Sequence, residues 1–156
     1  SQRVVPPISC KNTQFDKKVK SLLRFDIPTL DVEMAYTNRE NFVFLDTRAY
    51  EEFSVSHIKG ARYVGYDDFE LSKLHNIAKE SKIIVYCSIG YRSEHIGNKL
   101  KAAGYRNVYN LYGSIFEWCN RGYPIVDANE VPTQLLHTYN RKWSAYVDNG
   151  RIKKVW

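Results

Sequence analysis

The sequence predicts an open, mainly parallel α/β sheet, and three observations carry that reading. Short apolar runs alternate with helical periodicities along most of the chain. One run, Ile83-Ile84-Val85-Tyr86, is apolar and rich in β-branched residues, and it leads through a short glycine-containing loop straight into a periodic segment. The 156 residues suit one domain with extensions, are enough for a sizeable core, and hold no internal repeat or low-complexity segment.

Taken in order, residues 1–12 hold Pro6-Pro7 and little periodicity and read as an extended arm. Residues 14–24 read as a helix with Val19, Leu22 and Leu23 inward and Lys17, Lys18 and Lys20 in solvent. Pro28 biases Ile27 away from helix, so 27–30 is extended. Asp31 suits the N-cap of a brief helix through Met34 and Ala35. Residues 42–45 form a strand that ends at Asp46-Thr47-Arg48, and 49–55 a short helix with Tyr50 and Phe53 on one side. A turn over 57–61 leads to a third strand at 62–64, and 71–79 is expected to be helical. Beyond the central run, a helix over 94–103 turns Ile96, Leu100 and Ala103 to one face and Glu94, Asn98, Lys99 and Lys101 to others. Gly104 suits its C′ position. A fifth strand follows at 107–111, then a helix over 113–121 carrying Phe116 and Trp118. Tyr139, Trp143 and Tyr146 recur at helical spacing and are expected to pack on the domain. The expected division is an arm and short helix (1–24), the α/β domain (25–127) and a basic C-terminal extension packed on it (128–156).

Composition narrows the function classes. The chain is 44% hydrophobic and 26% charged, as soluble globular proteins are, and no apolar run is long enough to span a bilayer. The net charge of +6 sits on the flanks: residues 1–24 carry six Lys/Arg and one acid, residues 128–156 five and two, and the middle twelve and fourteen. The basic residues form no nucleic-acid motif, so no nucleic-acid partner is expected. Cys10, Cys87 and Cys119 are too few and too scattered for a disulfide framework, and no Cys-x-x-Cys or Cys/His zinc spacing occurs, so no metal is expected. The first residue is Ser1, not Met, which points to the loss of a targeting segment or of part of a longer chain. The compartment stays open: cytoplasmic, or periplasmic or exported if a signal peptide preceded Ser1.

The chemistry is expected where the central strand meets its loop, Cys87-Ser88-Ile89-Gly90-Tyr91-Arg92-Ser93. Parallel α/β sheets place their sites past the carboxyl end of a strand, at the amino end of the next helix. That helix end presents unpaired N–H groups and a partial positive charge, so a thiolate there is stabilised and its pKa is expected below that of a free cysteine. Cys87 is read as a nucleophile in a cradle of backbone amides; the alternative is a cysteine that only fills core.

Further residues extend this pattern. Leu45-Asp46-Thr47-Arg48, Glu52-Phe53, His57-Ile58-Lys59-Gly60-Ala61, the segment from Val85 to Ser93, Gly104-Tyr105, Val108, and Leu111-Tyr112-Gly113 with Trp118 together resemble a single-domain rhodanese, a sulfurtransferase. The resemblance runs from about Thr29 to Val126, with the motifs in the family's order. One departure is Ser114, where the family often has a second glycine.

The resemblance implies a five-stranded parallel sheet with helices on both faces, and a ping-pong covalent cycle without a cofactor. Cys87 would take a sulfane sulfur from a small anionic donor such as thiosulfate, or from another persulfide donor. The persulfide would then pass it to a thiol, cyanide or protein acceptor. Amides of Ser88 to Ser93, aimed into the loop, would offset the meeting of two negative charges. Arg92 is read either as an anion contact or as a structural partner of Asp46 on the neighbouring strand, the second being preferred. Asp46 and Arg48 are read as scaffold. His57 is read as a turn residue bonding local backbone ahead of a general base. Ser93 is expected to donate to the Cys87 sulfur or to cap the helix, and Trp118 and Tyr91 to wall the pocket mouth or, for Trp118, to fill core. Cys119 reads as inert core and Cys10 as part of a mobile arm. Two rivals remain. One is a non-catalytic binding or sulfur-carrier module on the same fold. The other is a phosphatase, whose loop needs five residues between Cys and Arg where this one has four, Ser88 to Tyr91.

Overall fold

β4 (Lys82–Tyr86) lies at the centre of the sheet because its residues are apolar on both faces. In the computed structural model, which describes residues 3–156, Ile84 and Tyr86 face one cluster of buried side chains and Ile83 and Val85 another. Ser1 and Gln2, the start of the expected arm, lie outside the described residues. The strands β1 (Thr29–Leu30), β2 (Val43–Asp46), β3 (Arg62–Tyr63), β4 and β5 (Asn107–Leu111) form a five-stranded sheet in the order β1-β5-β4-β2-β3, with every pairing parallel. The register sets Leu45 beside Val85 and Asp46 beside Tyr86, so the chain leaves β2 and β4 at the same level. The expected parallel α/β fold is the one observed.

Helices cover both faces. α1 (Thr13–Leu22), α2 (Val32–Thr37) and α5 (Ser114–Asn120) supply Phe15, Val19, Val32, Ala35, Ile115 and Phe116 to the first cluster. α4 (Tyr91–Ala102) supplies Ile96 and Leu100 to the second. Asn12 and Asp31 cap α1 and α2 by accepting from Phe15 N and Glu33 N. α3 (Tyr50–Val55) lies between β2 and β3.

The fold departs from expectation in several places. Cys10 does not lie in a mobile arm: it is buried in the first cluster, and its N–H donates to Asp16 Oδ1 at 2.8 Å. Residues 71–79 are not an α-helix; only Leu71–Leu74 forms a 3₁₀ turn. There the His75 ring bonds Ser72 O, a local bond that competes with helix propagation, while Leu74 and Ile77 still point inward. Glu94 is not on a solvent face: it is buried, and its carboxylate accepts from Arg24 N and Phe25 N. α4 begins three residues earlier than the apolar periodicity implied, at Tyr91. Tyr139, Trp143 and Tyr146 do not share one helix: α6 is Arg141–Ser144, and Tyr139 precedes it with a positive φ of 73° and an exposed ring.

After α5 the chain makes β6 (Ile125–Val126) and β7 (Pro132–Thr133), an antiparallel pair. β8 (Leu135–His137) and β9 (Lys153–Val155) then form a small parallel pair. Leu136 and Val147 are buried in the first cluster, and Trp143 and Tyr146 pack against it. Among the described residues no helix is long and apolar enough to cross a membrane.

Candidate active site

Cys87 is the first residue past β4, and two elements fix it. Its N–H donates to Ser114 Oγ at 3.2 Å, and its carbonyl accepts from Ile115 N at 3.2 Å. The Ser88 carbonyl accepts from Phe116 N at 3.1 Å. The opening N–H groups of α5 therefore hold two loop carbonyls outward, which satisfies donors that a helix start leaves unpaired. Ser114, at the position where the resembled family often has glycine, adopts φ 51° and donates its hydroxyl to Leu111 O. A glycine there would lose the group that binds the Cys87 amide.

On the other side the loop folds over the sulfur. Gly90 N donates to Cys87 Sγ at 3.1 Å, and Ser93 Oγ lies 3.5 Å from it. Gly90 reaches this position at φ 119°, which side chains with a Cβ rarely adopt, so the amide contact depends on glycine. Gly90 is also the N-cap of the twelve-residue α4, whose amino end thus faces the sulfur. Ser93 does not cap that helix; its hydroxyl donates to Asn110 Oδ1 at 2.6 Å, and Asn110 Nδ2 donates to Gly90 O at 3.0 Å. Asn110, fully buried on β5, thereby ties both sulfur-facing groups to the sheet.

Arg92 does not pair with Asp46. It makes a bidentate contact with Glu52 on α3, with Nη1 to Oε2 at 2.8 Å and Nη2 to Oε1 at 3.0 Å. Nη2 also donates to Ser88 Oγ, which donates to Glu52 Oε1. Glu52 closes the set by accepting from Ala49 N. Burial disfavours its charge, but the Arg92 hydrogen bonds and charge outweigh that and hold its carboxyl below the usual carboxylate range. Asp46 instead binds Arg48, with Nη2 to Oδ2 at 2.7 Å, both side chains being fully buried. Arg48 also donates to Ser56 O. The reason is length and direction: Arg48 turns back on the strand end two residues before it, while Arg92 points from the first turn of α4 towards α3.

A cleft of about 1050 Å³ opens above Cys87. Ser88, Ile89, Tyr91 and Arg92 line it, as do Glu52 and residues from the C-terminal segment, His137, Tyr139, Trp143 and Trp156. Asp46, Arg48, His57 and Trp118 are not among the lining residues. His57 is buried against Phe53, with Nδ1 on Phe53 O and Nε2 on Glu130 Oε2, and its backbone pairs with Val126. Trp118 does not wall the mouth; it lies in the core and donates Nε1 to Pro124 O. Tyr91 is at the mouth, 43% exposed.

Sequence reasoning missed Glu52 as Arg92's partner and Asn110 altogether, and it singled out Ser114 only as a departure from the family's glycine, not as the acceptor of the Cys87 amide. Asn110 carried a usable signal: an amide between Tyr109 and Leu111, near the carboxyl end of a strand in the sheet interior, needs buried partners.

The other two thiols do not line the cleft above Cys87. Burial pushes the Cys119 thiol up to about 12. Burial, then the charges of Glu117 and Asp16, push Cys10 up as well. Neither forms appreciable thiolate near neutral pH. Iodoacetamide at pH 8 is therefore expected to add one group to the native protein and none to Cys87→Ser, by intact mass. A second group on the native protein would contradict this.

Sheet, sulfur, amide loop and helix end define a parallel α/β protein with its cysteine at a strand–loop–helix junction. The family model described as "Rhodanese-like domain" matches residues 32–121, and the chain belongs to that family. It is 32% identical over 87 residues to a tRNA uridine(34) hydroxylase of Enterobacter sp. (strain 638), and 33% over 84 residues to one of Erwinia tasmaniensis. Each match covers 51% of this chain and 24% of the relative, so the chain spans about a quarter of those proteins' length. Among solved structures, the rhodanese-like domain of an Anabaena sp. protein matches at TM-score 0.60 and 25% identity, over 65% of this chain and 80% of that one. A Bacillus halodurans protein matches at 0.65 and 17% identity, over 85% and 96%, a likeness of fold.

Proposed function

We propose that the protein is a sulfurtransferase that carries a sulfane sulfur on Cys87 as a persulfide. The observation that carries the reading is the surroundings of Cys87 Sγ, on the floor of an open cleft with the Gly90 amide at 3.1 Å and the amino end of α4 behind it. The Cys87 thiolate attacks the outer sulfur of thiosulfate. The donor's S–S bond breaks, and sulfite leaves with its electron pair. The Gly90 N–H and the helix end offset the charge that builds as two anions meet. An acceptor thiolate, or cyanide, then attacks the outer sulfur of the persulfide and expels Cys87 as thiolate. No proton transfer is required in either step, and the buried, bonded His57 is consistent with that. Cys87 and its cleft support catalysis over a purely structural module. The loop, four residues between Cys87 and Arg92, suits one sulfur atom over a phosphoryl group. Arg92 is held by Glu52, so its charge is partly spent before any anion arrives.

The tRNA hydroxylase likeness leaves open a nucleic-acid substrate. Four carboxylates line the cleft against the one guanidinium of Arg92, which supports a sulfur acceptor other than a polyanion.

The test is an intact mass after incubation with thiosulfate. One added sulfur atom is expected on the native protein, none on Cys87→Ser, and loss of that atom with cyanide. If neither thiosulfate nor a low-molecular-weight persulfide adds sulfur while Cys87 stays a free thiol, the enzyme reading falls.

A further inference from the structure

The cleft above Cys87 is far larger than its proposed donor requires. A volume of about 1050 Å³ is in the range that encloses drug-sized ligands, and thiosulfate has five heavy atoms in all. Its rim is also unusual for this chain. Tyr50, Tyr91, Tyr139 and Trp156 are the exposed aromatic side chains among the described residues, and all four line this one cleft. They come from α3, the start of α4 and the C-terminal segment, so separate parts of the chain bring uncovered aromatic surface to one place. Clustering of this kind marks a surface that a partner covers.

Charge says which partner. The protein carries +6 overall, yet the cleft is lined by Glu51, Glu52, Asp67 and Asp68 with Arg92 the only Lys or Arg. Arg92 is neutralised by Glu52, and Asp68 is shared with Lys73 at 3.5 Å. Glu51 and Asp67 have no ion-pair partner among the described residues. Aromatic faces beside free carboxylates suit cations, through ring quadrupole and charge together. Arg92 over the Tyr139 ring, at 5.4 Å, already displays that contact within the site.

Resting on the proposed sulfur transfer, we infer that the acceptor is a basic peptide segment of a protein, carrying its cysteine beside Lys or Arg and an aromatic residue. Its cations lie on Glu51 and Asp67 and its backbone lies along the tyrosines. Its thiolate attacks the outer sulfur of the Cys87 persulfide. A new S–S bond forms on the acceptor, the bond to Cys87 Sγ breaks, and Cys87 leaves as thiolate.

The experiment uses two synthetic peptides of equal length, each with one cysteine and one phenylalanine, flanked by lysines in one and glutamates in the other. Serine analogues are first titrated onto the unloaded protein, read by tryptophan fluorescence, so that binding is measured without chemistry. The lysine peptide is expected to bind at least about tenfold more tightly at low salt, with the gap closing as salt rises. Discharge of the loaded protein is then timed with both cysteine peptides and with cysteamine. The lysine peptide should be fastest, and in Glu51→Gln/Asp67→Asn its advantage over the glutamate peptide should shrink. Loading by the anion thiosulfate should speed up in the same variant, a crossed result that damage to the fold does not produce. Equal binding of the two peptides, an unchanged ratio in the variant, or cysteamine as fast as the lysine peptide would each overturn the inference. Failure of Cys87 to load, with tight lysine-peptide binding intact, would instead count against the sulfur chemistry alone.

Discussion

Asp46→Ala is expected to cost about 3–5 kcal/mol, enough to remove much of a typical domain's stability. The reason is the position of Arg48. Its side chain is 0% exposed, like that of Asp46, and its guanidinium bridges Asp46 at the end of β2 and the carbonyl of Ser56, just past α3. Burial works against its charge, and the Asp46 carboxylate outweighs that and keeps the guanidinium charged. Four contacts at 2.7–3.2 Å join the two residues, three from the Arg48 side chain and one from its amide. Nη1 has no partner among the described residues, so little remains to compensate the charge once Asp46 is gone. Arg48→Met should cost less, because the remaining Asp46 carboxylate keeps the Arg48-position amide. The double change Asp46→Leu/Arg48→Met removes both charges and should recover most of the loss. Urea unfolding of the four proteins checks this. Equal stability of the native protein and Asp46→Ala would refute it. Neither residue lines the cleft, so a double variant that folds should still load sulfur.

The fold was legible because its signals are local. The alternating apolar runs, the break at Pro28 and the cysteine at the end of the most apolar strand each follow from a few neighbouring residues. The loop from Cys87 to Gly90, between β4 and α4, was legible for the same reason. What the sequence concealed was partnership at a distance. Arg92 had two acids within plausible reach, Asp46 and Glu52, and motif order could not say which one α4 would face. In space Arg48, two residues from Asp46, reaches that acid first, and α3 carries Glu52 to the loop. Glu94 read as solvent-facing because charged residues usually are. Its partners are two backbone amides after α1, and no pattern in side-chain types announces an unpaired amide. The C-terminal segment was the hardest. Aromatic residues at helical spacing suggested one helix, but Tyr139 takes a positive φ and delivers its ring to the cleft, which only tertiary packing determines.

Glu52→Gln is expected to loosen the active loop and to change the acid stability of the protein. The carboxylate is 2% exposed and receives both arms of Arg92, the Ser88 hydroxyl and the Ala49 amide. An amide offers one acceptor where two guanidinium arms arrive, and its NH₂ group faces donors. The cost should be about 3 kcal/mol, the lower end for a broken buried pair, because the Arg92 side chain retains 18% exposure and can turn towards water. In a domain of this size that corresponds to a fall in Tm of about 6–12 °C. The pH dependence follows from the direction of the shift. The Glu52 carboxyl is held below its ordinary value of 4.5 in the folded state, so its contribution is fully present above that pH and is lost as pH falls through the lower, folded value. The difference in stability between native protein and Glu52→Gln should therefore be constant from neutral pH down to about 5 and narrow below it. A gap that widened on acidification would mean that Glu52 is not ionised in the folded protein. Sulfur loading separates a loosened loop from a global effect. At temperatures where both proteins are folded, Glu52→Gln should load Cys87 more slowly, because Ser88 and Arg92 lose the group that fixes them on either side of the Gly90 amide. Adding Arg92→Met should restore stability without restoring that rate. Recovery of both together would show that the pair serves only the fold.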